Sequence, residues 1–189
     1  LFSSSEMVET LATDGSESEY NSLIKNYAHL GEVDAAEDLF RKMVSSGAQV
    51  SALTLNGVIH ACTQAGDIER AEMYLEGMDA GGIEPDIITY NSVINACAAR
   101  AEPSRAEFWL LRMIEKGLNP NEVTYGTICK AFARTGNVEA VLRIMSALEA
   151  TMPLNEYFYA SLISACGAAS PPDVGRAEAA VMELASRGL

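Results

Sequence analysis

The chain has 189 residues, of which 49% are apolar and 21% are charged, and this composition excludes a disordered protein. No apolar run approaches the roughly 18 residues of a membrane-spanning helix, so we expect no direct membrane insertion. Asp and Glu number 26 against 13 Lys and Arg, and the net charge of -13 argues against a polyanionic partner unless the charge is unevenly distributed.

A short motif that begins with an aromatic residue or leucine recurs along the chain. Its first residues are Tyr20, Leu55, Tyr90, Tyr125 and Tyr159, in steps of 35, 35, 35 and 34 residues. A small residue, usually glycine, follows eleven positions later in each unit, and markers that keep phase in this way indicate internal repeats. We expect residues 1–16 to be a remnant of a preceding repeat or an N-terminal extension, followed by repeats over about residues 17–51, 52–86, 87–121, 122–155 and 156–189.

Each unit predicts two amphipathic helices, because its apolar residues fall at helical spacing. In the first unit, Leu39, Phe40 and Met43 are expected to be buried between units. One helical pair cannot cover its own apolar face, whereas stacked pairs bury a continuous core. The predicted fold is therefore all-α, a right-handed superhelical solenoid of about five helix-turn-helix repeats, with at least nine helices after residue 16 and the first helices along its concave side.

Glycines mark the expected helix ends, because glycine readily adopts the left-handed conformation that closes a helix. Asp67 and Asn137 are expected to cap second helices, and Pro103 fits the first turn of another. The expected closing glycines are Gly31, Gly66 and Gly136 for first helices and Gly47, Gly82 and Gly117 for second helices.

Three segments together resemble the pentatricopeptide repeat family. They are the string from Thr89 to Cys97, the Gly-x-x-x-x-Ala-Glu turn from Gly66 to Glu72, and the Gly-Ile-x-Pro-Asp ending from Gly82 to Asp86. The resemblance covers about residues 17–189. Tetratricopeptide repeats are the close alternative, but their Trp-Leu-Gly-Tyr signature is absent.

The resemblance implies an organellar protein, of a mitochondrion or plastid, that binds single-stranded RNA at about one base per repeat. In the family, two residues of each repeat read a base. The matching pairs here are Asn21 with Ser51, Asn56 with Asp86, and Asn91 with Asn121, and in family terms all three favour pyrimidines. The last two repeats depart from the pattern, with Gly126 (paired with Asn155) and Ala160 at the first reading position, and have no readable preference.

The family also sandwiches bases between apolar residues two positions before the aromatic. Leu53, Ile88 and Val123 match this position, as does Tyr157, whereas Ser18 does not. The alternative reading of the asparagines is that they only cap helix starts, a common use of this residue.

The charge is segregated by helix. Ten-residue windows that start one position after each motif's first residue contain no Asp or Glu, and they contain four of the 13 basic residues. We expect Lys25, Lys130 and Arg134 from these windows to contact phosphates. The alternative is that second helices form a solvated outer face, which alone would account for the position of the acids.

No catalytic residues, metal site, cofactor or small-molecule substrate are expected. Cys62, Cys97 and Cys166 occupy the same place in three units, which indicates helix packing, and no Cys-x-x-Cys pair is present. His29 and His60 are expected to be isolated, in that neither has a partnered Cys or carboxylate at catalytic spacing, and Trp109 is expected to face the repeat packing.

Two functions remain open at this point. One is a non-catalytic module that binds single-stranded RNA, with pyrimidine preference in the central repeats. The other is an architectural scaffold subunit that binds a protein partner in a large organellar assembly through its acidic outer surface.

Overall fold

A computed structural model of the chain describes residues 16–149 and 153–188. These residues form ten α-helices and contain no strand, which confirms the predicted all-α helical repeat fold. The expected N-terminal remnant lies almost entirely outside the described residues. The helices are α1 (Glu17–Leu30), α2 (Val33–Ser45), α3 (Ala52–Ala65), α4 (Ile68–Ala80), α5 (Ile87–Ala99), α6 (Pro103–Glu115), α7 (Glu122–Arg134), α8 (Val138–Glu149), α9 (Glu156–Ala168) and α10 (Val174–Ser186).

The chain divides into two compact units, residues 1–96 and 97–189, with the division inside α5. In the amino-terminal unit, α1 packs mainly on α3, the first helix of the next repeat, and also on its own partner α2. Ile24 and Ile59 are fully buried in this core. A Cβ atom on Gly57 would lie 2.8 Å from the Ile24 Cγ2 atom, so the absence of a side chain at residue 57 permits the close approach of α1 and α3.

In the carboxy-terminal unit, α7 packs on α9 in the same way, and α8 and α10 cover them from the other side. Ile128, Phe132 and Leu162 are buried there. Gly136 lies at φ 70°, and a Cβ atom at this position would be 2.6 Å from the Ala168 carbonyl oxygen. Both its backbone conformation and its contact therefore require glycine.

The expected helix ends are confirmed. Gly31 closes α1 at φ 70°, and its N–H donates to the Ala28 carbonyl while the Glu32 N–H donates to the Tyr27 carbonyl. This pair of hydrogen bonds is the Schellman arrangement, which satisfies carbonyls that the helix leaves unpaired. The same pair of bonds recurs at Gly66 and Gly136.

The starts of second helices also agree with expectation. The Asp67 carboxylate accepts a hydrogen bond from the Arg70 N–H at 3.1 Å, and the Asn137 side chain accepts one from the Ala140 N–H at 3.1 Å. Pro103 is the first residue of α6, where its missing N–H leaves no helical hydrogen bond unmade.

One core prediction is wrong. Leu39 and Met43 are fully buried, but Phe40 is only half-buried, with its ring edge-to-face against Tyr74 at a centroid distance of 5.9 Å. Phe40 lies one position beyond the buried stripe of α2, at the border with the exposed face. The roughly 3–5 kcal/mol loss typical of truncating a fully buried phenylalanine is therefore too large for this residue.

Second helices are joined to one another by ion pairs on the outer face. Arg70 lies 2.7 Å from Asp34, Arg143 lies 2.5 Å from Glu107, and Arg176 lies 2.5 Å from Glu139. Each exposed pair contributes only about 0–1 kcal/mol, so these contacts add little to the stability of the array. They also account for several of the acidic residues that the outer face carries.

Ala101 provides a test of this helix-end geometry, because it occupies the closing position of α5 at φ 58°. An L-residue with a side chain costs roughly 1–2 kcal/mol in the left-handed region, and a glycine there avoids this cost. Part of the advantage is lost because glycine also gives the unfolded chain more conformational entropy. We expect Ala101→Gly to raise the free energy of unfolding by about 0.5–1 kcal/mol, as measured by chemical denaturation.

The matched control is Ala99→Gly, because Ala99 is the last helical residue of α5. Glycine within a helix is unfavourable by up to about 1 kcal/mol, so this variant should be less stable than the parent. Equal destabilisation by both substitutions would show that Ala101 is not strained.

Candidate nucleic-acid interface

Three of the asparagines assigned to base reading do not cap helices. Asn21, Asn56 and Asn91 are each the fifth residue of a first helix, and the caps of α1 and α3 are Ser16 and Ser51. The capping interpretation is therefore wrong for these three residues. Each side chain is half-exposed at the border between the buried core and the solvent.

A threonine hydroxyl joins the first pair of assigned base-reading residues. Thr54 Oγ1 donates a hydrogen bond to Asn21 Oδ1 at 2.7 Å, across the contact between α1 and α3. The same oxygen lies 3.4 Å from Ser51 Oγ and accepts a hydrogen bond from the Ser51 N–H at 3.4 Å. Asn21 and Ser51 are therefore held together by Thr54, which is fully buried.

The second pair has the same arrangement. Thr89 Oγ1 donates to Asn56 Oδ1 at 2.6 Å and accepts from the Asp86 N–H at 3.2 Å. Asp86 Oδ1 lies 2.8 Å from Thr89 Oγ1 and also accepts from the Thr89 N–H at 2.8 Å. Because the Asn56 oxygen faces the hydroxyl, the Asn56 amide nitrogen keeps its two N–H donors for another partner.

The third pair is divided between the two compact units, with Asn91 in the first and Asn121 in the second. Asn121 caps α7, and its Oδ1 accepts from the Thr124 N–H at 3.0 Å and from Thr124 Oγ1 at 3.0 Å. Sequence reasoning did not assign a role to these threonines. The available signal was their recurrence one position before the motif's first residue in three consecutive units, at Thr54, Thr89 and Thr124.

The residues assigned to base sandwiching are exposed apolar side chains. Leu53 and Ile88 are each 66% exposed, Val123 is 68% exposed and Tyr157 is 58% exposed. Each one follows a helix cap closely and precedes a buried residue. A recurrent apolar side chain that the core does not cover is available to contact a planar ligand.

The three basic residues assigned to phosphates are exposed on first helices, and within the described ranges none of them is paired with a carboxylate. The Lys130 ammonium lies 5.7 Å from the centroid of the Tyr157 ring. The Arg134 guanidinium donates to the Ala99 carbonyl at 3.5 Å. Lys25 lies one turn after Asn21 on the same helix.

The two histidines lie next to each other, a contact that the sequence did not indicate. His29 of α1 and His60 of α3 contact each other edge-to-face, with ring centroids 5.8 Å apart. Partial burial and the neighbouring His29 lower the pKa of His60. The repeat explains this contact, because the two residues lie 31 positions apart on first helices that pack side by side.

The four cysteines are buried and free of disulfides. Burial raises the pKa of the Cys62 and Cys129 thiols to about 12, so these groups are poor nucleophiles. Within residues 16–149 and 153–188, no cluster of three or more His, Cys, Asp or Glu side chains could hold a metal ion. None of the described helices has the length and apolar character to cross a membrane.

A family model described as the pentacotripeptide-repeat region of PRORP matches residues 7–170. The chain therefore belongs to the pentatricopeptide repeat family, as its motifs indicate. No curated protein sequence matches the chain significantly.

Solved structures with this fold are similar to the chain at low sequence identity. The pentatricopeptide repeat protein PPR10 from maize superimposes with a TM-score of 0.83 at 20% identity, over 95% of this chain and 26% of that protein. PPR10 in complex with an 18-nt psaJ RNA element gives a TM-score of 0.71 at 22% identity, over 96% of this chain and 27% of that one. The chain thus spans about a quarter of the length of PPR10.

A further similar structure is the repeat domain of Arabidopsis thaliana protein-only RNase P 1, which was solved in complex with tRNA. It superimposes with a TM-score of 0.70 at 16% identity, over 85% of each chain. At these identities the likeness establishes the fold.

The hydrogen bond between Thr89 and Asn56 can be measured by a double-mutant cycle. We expect Thr89→Val and Asn56→Ala to be non-additive in the free energy of unfolding, with a coupling of about 1 kcal/mol from the shared hydrogen bond. The matched control combines Thr89→Val with Asn21→Ala, since Asn21 bonds to Thr54 instead, and these two changes should be additive. Additive behaviour of both pairs would contradict the Thr89–Asn56 contact.

Proposed function

We propose that the chain is a non-catalytic module that binds single-stranded RNA, with about one base per repeat. The main observation in support is the repeated linkage of asparagine, threonine and helix cap beside an exposed apolar side chain. It joins residues that the family resemblance assigns to one base, and it occurs at two successive contacts of the amino-terminal unit.

Pyrimidine preference in the central repeats is part of this proposal, and it is carried over from the family resemblance. The polar atoms at these contacts are compatible with it: with its oxygen held by Thr89, Asn56 offers N–H donors to a base carbonyl, which cytosine has at O2 and uracil at O2 and O4. Asp86 is exposed and offers a second oxygen as an acceptor. Leu53 and Ile88 supply apolar surface for the base faces. Stacking of this kind contributes roughly 1–3 kcal/mol per base where the side chain is aromatic, and less for aliphatic residues.

The net charge of -13 weakens RNA binding without preventing it. The acids on second helices lie roughly 10 Å from the first-helix surface, about one helix diameter. This distance is about one Debye length at physiological ionic strength, and several of these acids are paired with arginines. We therefore expect weak binding by this stretch, with a Kd on the order of micromolar, because association consumes much of the stacking energy.

We propose that these residues bind RNA and do not catalyse a reaction. The similar structure of Arabidopsis thaliana RNase P 2 is matched over only 36% of its length, so most of that enzyme lies outside the match. The similar repeat domain of its relative was solved in complex with tRNA. We also propose, from the family resemblance, that the protein is located in a mitochondrion or plastid. RNase P 2 of Arabidopsis thaliana, in contrast, is a nuclear protein.

The competing function is a scaffold that binds a basic protein in a larger assembly. The observation that favours it is the acidic outer face of the second helices. The scaffold function requires the same fold as RNA binding, but its partner need not contact the exposed apolar residues of the first helices.

Titration with short single-stranded RNAs separates the two functions. At low salt, pyrimidine oligonucleotides should bind more tightly than purine ones of equal length. Asn56→Ala should lower discrimination at one base, by about 1–3 kcal/mol, because the substitution removes a base-edge contact. Lys25→Ala should weaken all sequences alike and reduce the salt dependence by about 0.7 in log–log slope, because a single-strand phosphate contact carries no sequence information.

The titration has a clear contrary outcome. If no RNA binds at low salt, where attraction to Lys25 and Arg134 is least screened, the RNA-binding function is wrong and the scaffold function is preferred.

A further inference from the structure

The contact between α7 and α9 differs from those of the amino-terminal unit at two facing positions. Gly126 occupies the place of Asn21 and Asn56, and Phe158 occupies the place of Thr54 and Thr89. Both members of the asparagine–threonine hydrogen bond are therefore replaced together. At the earlier contacts a threonine hydroxyl donates a hydrogen bond to an asparagine side chain. Glycine and phenylalanine have no polar side-chain atoms, so this hydrogen bond is absent between Gly126 and Phe158.

A cavity of about 290 Å³ lies between the two helices at these positions. A Cβ atom on Gly126 would have no neighbour within 4 Å, so the missing side chain leaves open space. Phe158 is buried at 1% exposure, whereas Tyr157 beside it is 58% exposed. The cavity is lined by Glu122, Val123, Gly126, Thr127, Lys130, Tyr157 and Phe158. Its volume is at the lower end of the range for ligand pockets, which suits a single ring system.

The charged groups at the cavity are a lysine and a glutamate. Lys130 lies one helical turn after Gly126, and its ammonium is 5.7 Å from the centroid of the Tyr157 ring. The Glu122 carboxylate accepts a hydrogen bond from the Asn155 amide nitrogen. Glu122 is thus engaged by the cap of α9, while the Lys130 ammonium lies over the exposed Tyr157 ring.

We propose that this cavity is a purine subsite that selects guanine within a bound RNA strand. The proposal rests on RNA binding as the function of the chain. A purine offers a larger face than a pyrimidine for stacking on Tyr157, and stacking strength is a known source of base preference in single-strand binding. Without an asparagine at residue 126, nothing occupies the space that the larger base requires.

Guanine is favoured over adenine by the chemistry of Lys130. Guanine presents two adjacent acceptors, O6 and N7, which suit an ammonium donor. Adenine presents its N6 amino group next to N7, and an unfavourable contact results because both this amino group and the Lys130 ammonium are hydrogen-bond donors. In this proposal Lys130 contacts a base edge, and the phosphate contacts remain with Lys25 and Arg134.

The test uses uridine-rich oligonucleotides in which one guanosine, or one adenosine, is moved along the strand. For the wild-type chain, guanosine at one register should tighten binding about fivefold to tenfold over uridine and about threefold over adenosine. Gly126→Asn should remove the guanosine preference at that register, because the amide side chain fills the space that the larger base requires. Circular dichroism confirms that this variant folds, which the open space around Gly126 favours.

Lys130→Gln separates the two parts of the preference. It should abolish discrimination of guanosine from adenosine and retain that of purine from uridine. The matched control is Lys25→Gln, because Lys25 stands in the equivalent position of the first repeat, one turn after Asn21. It should weaken all strands and change no preference.

The possible failures are distinguishable. If the all-uridine strand binds but guanosine gives no advantage at any register, the subsite is wrong and the RNA-binding function stands. A guanosine preference that survives Gly126→Asn also overturns the subsite. If no strand binds, both the subsite and the proposed function are wrong.

Discussion

The packing of a first helix against the first helix of the next repeat, as between α1 and α3 and between α7 and α9, is the contact on which the rest of the structure depends. A single helical hairpin exposes too much apolar surface to be stable, and the contact between α1 and α3, like that between α7 and α9, covers it. Side chains such as Ile24 and Ile59 are fully buried as a result. The helices approach closely enough that a Cβ atom on Gly57 would touch Ile24.

This packing also determines what each contact can present to a ligand. Residues about 33 positions apart face each other across neighbouring first helices, so each potential base site is built from two repeats. Where the facing residues are Asn56 and Thr89, a fixed amide results. Where they are Gly126 and Phe158, a cavity lies between the helices. Two substitutions at one contact between neighbouring first helices are therefore enough, in this proposal, to change which base that contact prefers.

The fold was predictable from the sequence because its determinants are local and periodic. Glycines such as Gly31 and Gly66 mark helix ends through their own backbone conformation, and repetition confirms each assignment. The candidate site was only partly predictable. The asparagines could be assigned from the family, but the role of Thr89 depends on a hydrogen bond between repeats that no single unit contains. The His29–His60 contact was missed for the same reason. Phe40, which is only half-buried, shows that helical spacing identifies the centre of an apolar stripe but does not define where the stripe ends.

The most direct measurement of the central claim is photo-crosslinking of 4-thiouridine-containing RNA, followed by mass spectrometry of the crosslinked peptides. We expect crosslinks on first helices at the exposed apolar positions and the adjacent asparagines, in particular within residues 53–56 and 88–91. Competition with unlabelled pyrimidine RNA should remove them. Crosslinks concentrated on the second helices α2, α4 and α6 would contradict a base-binding surface along the first helices.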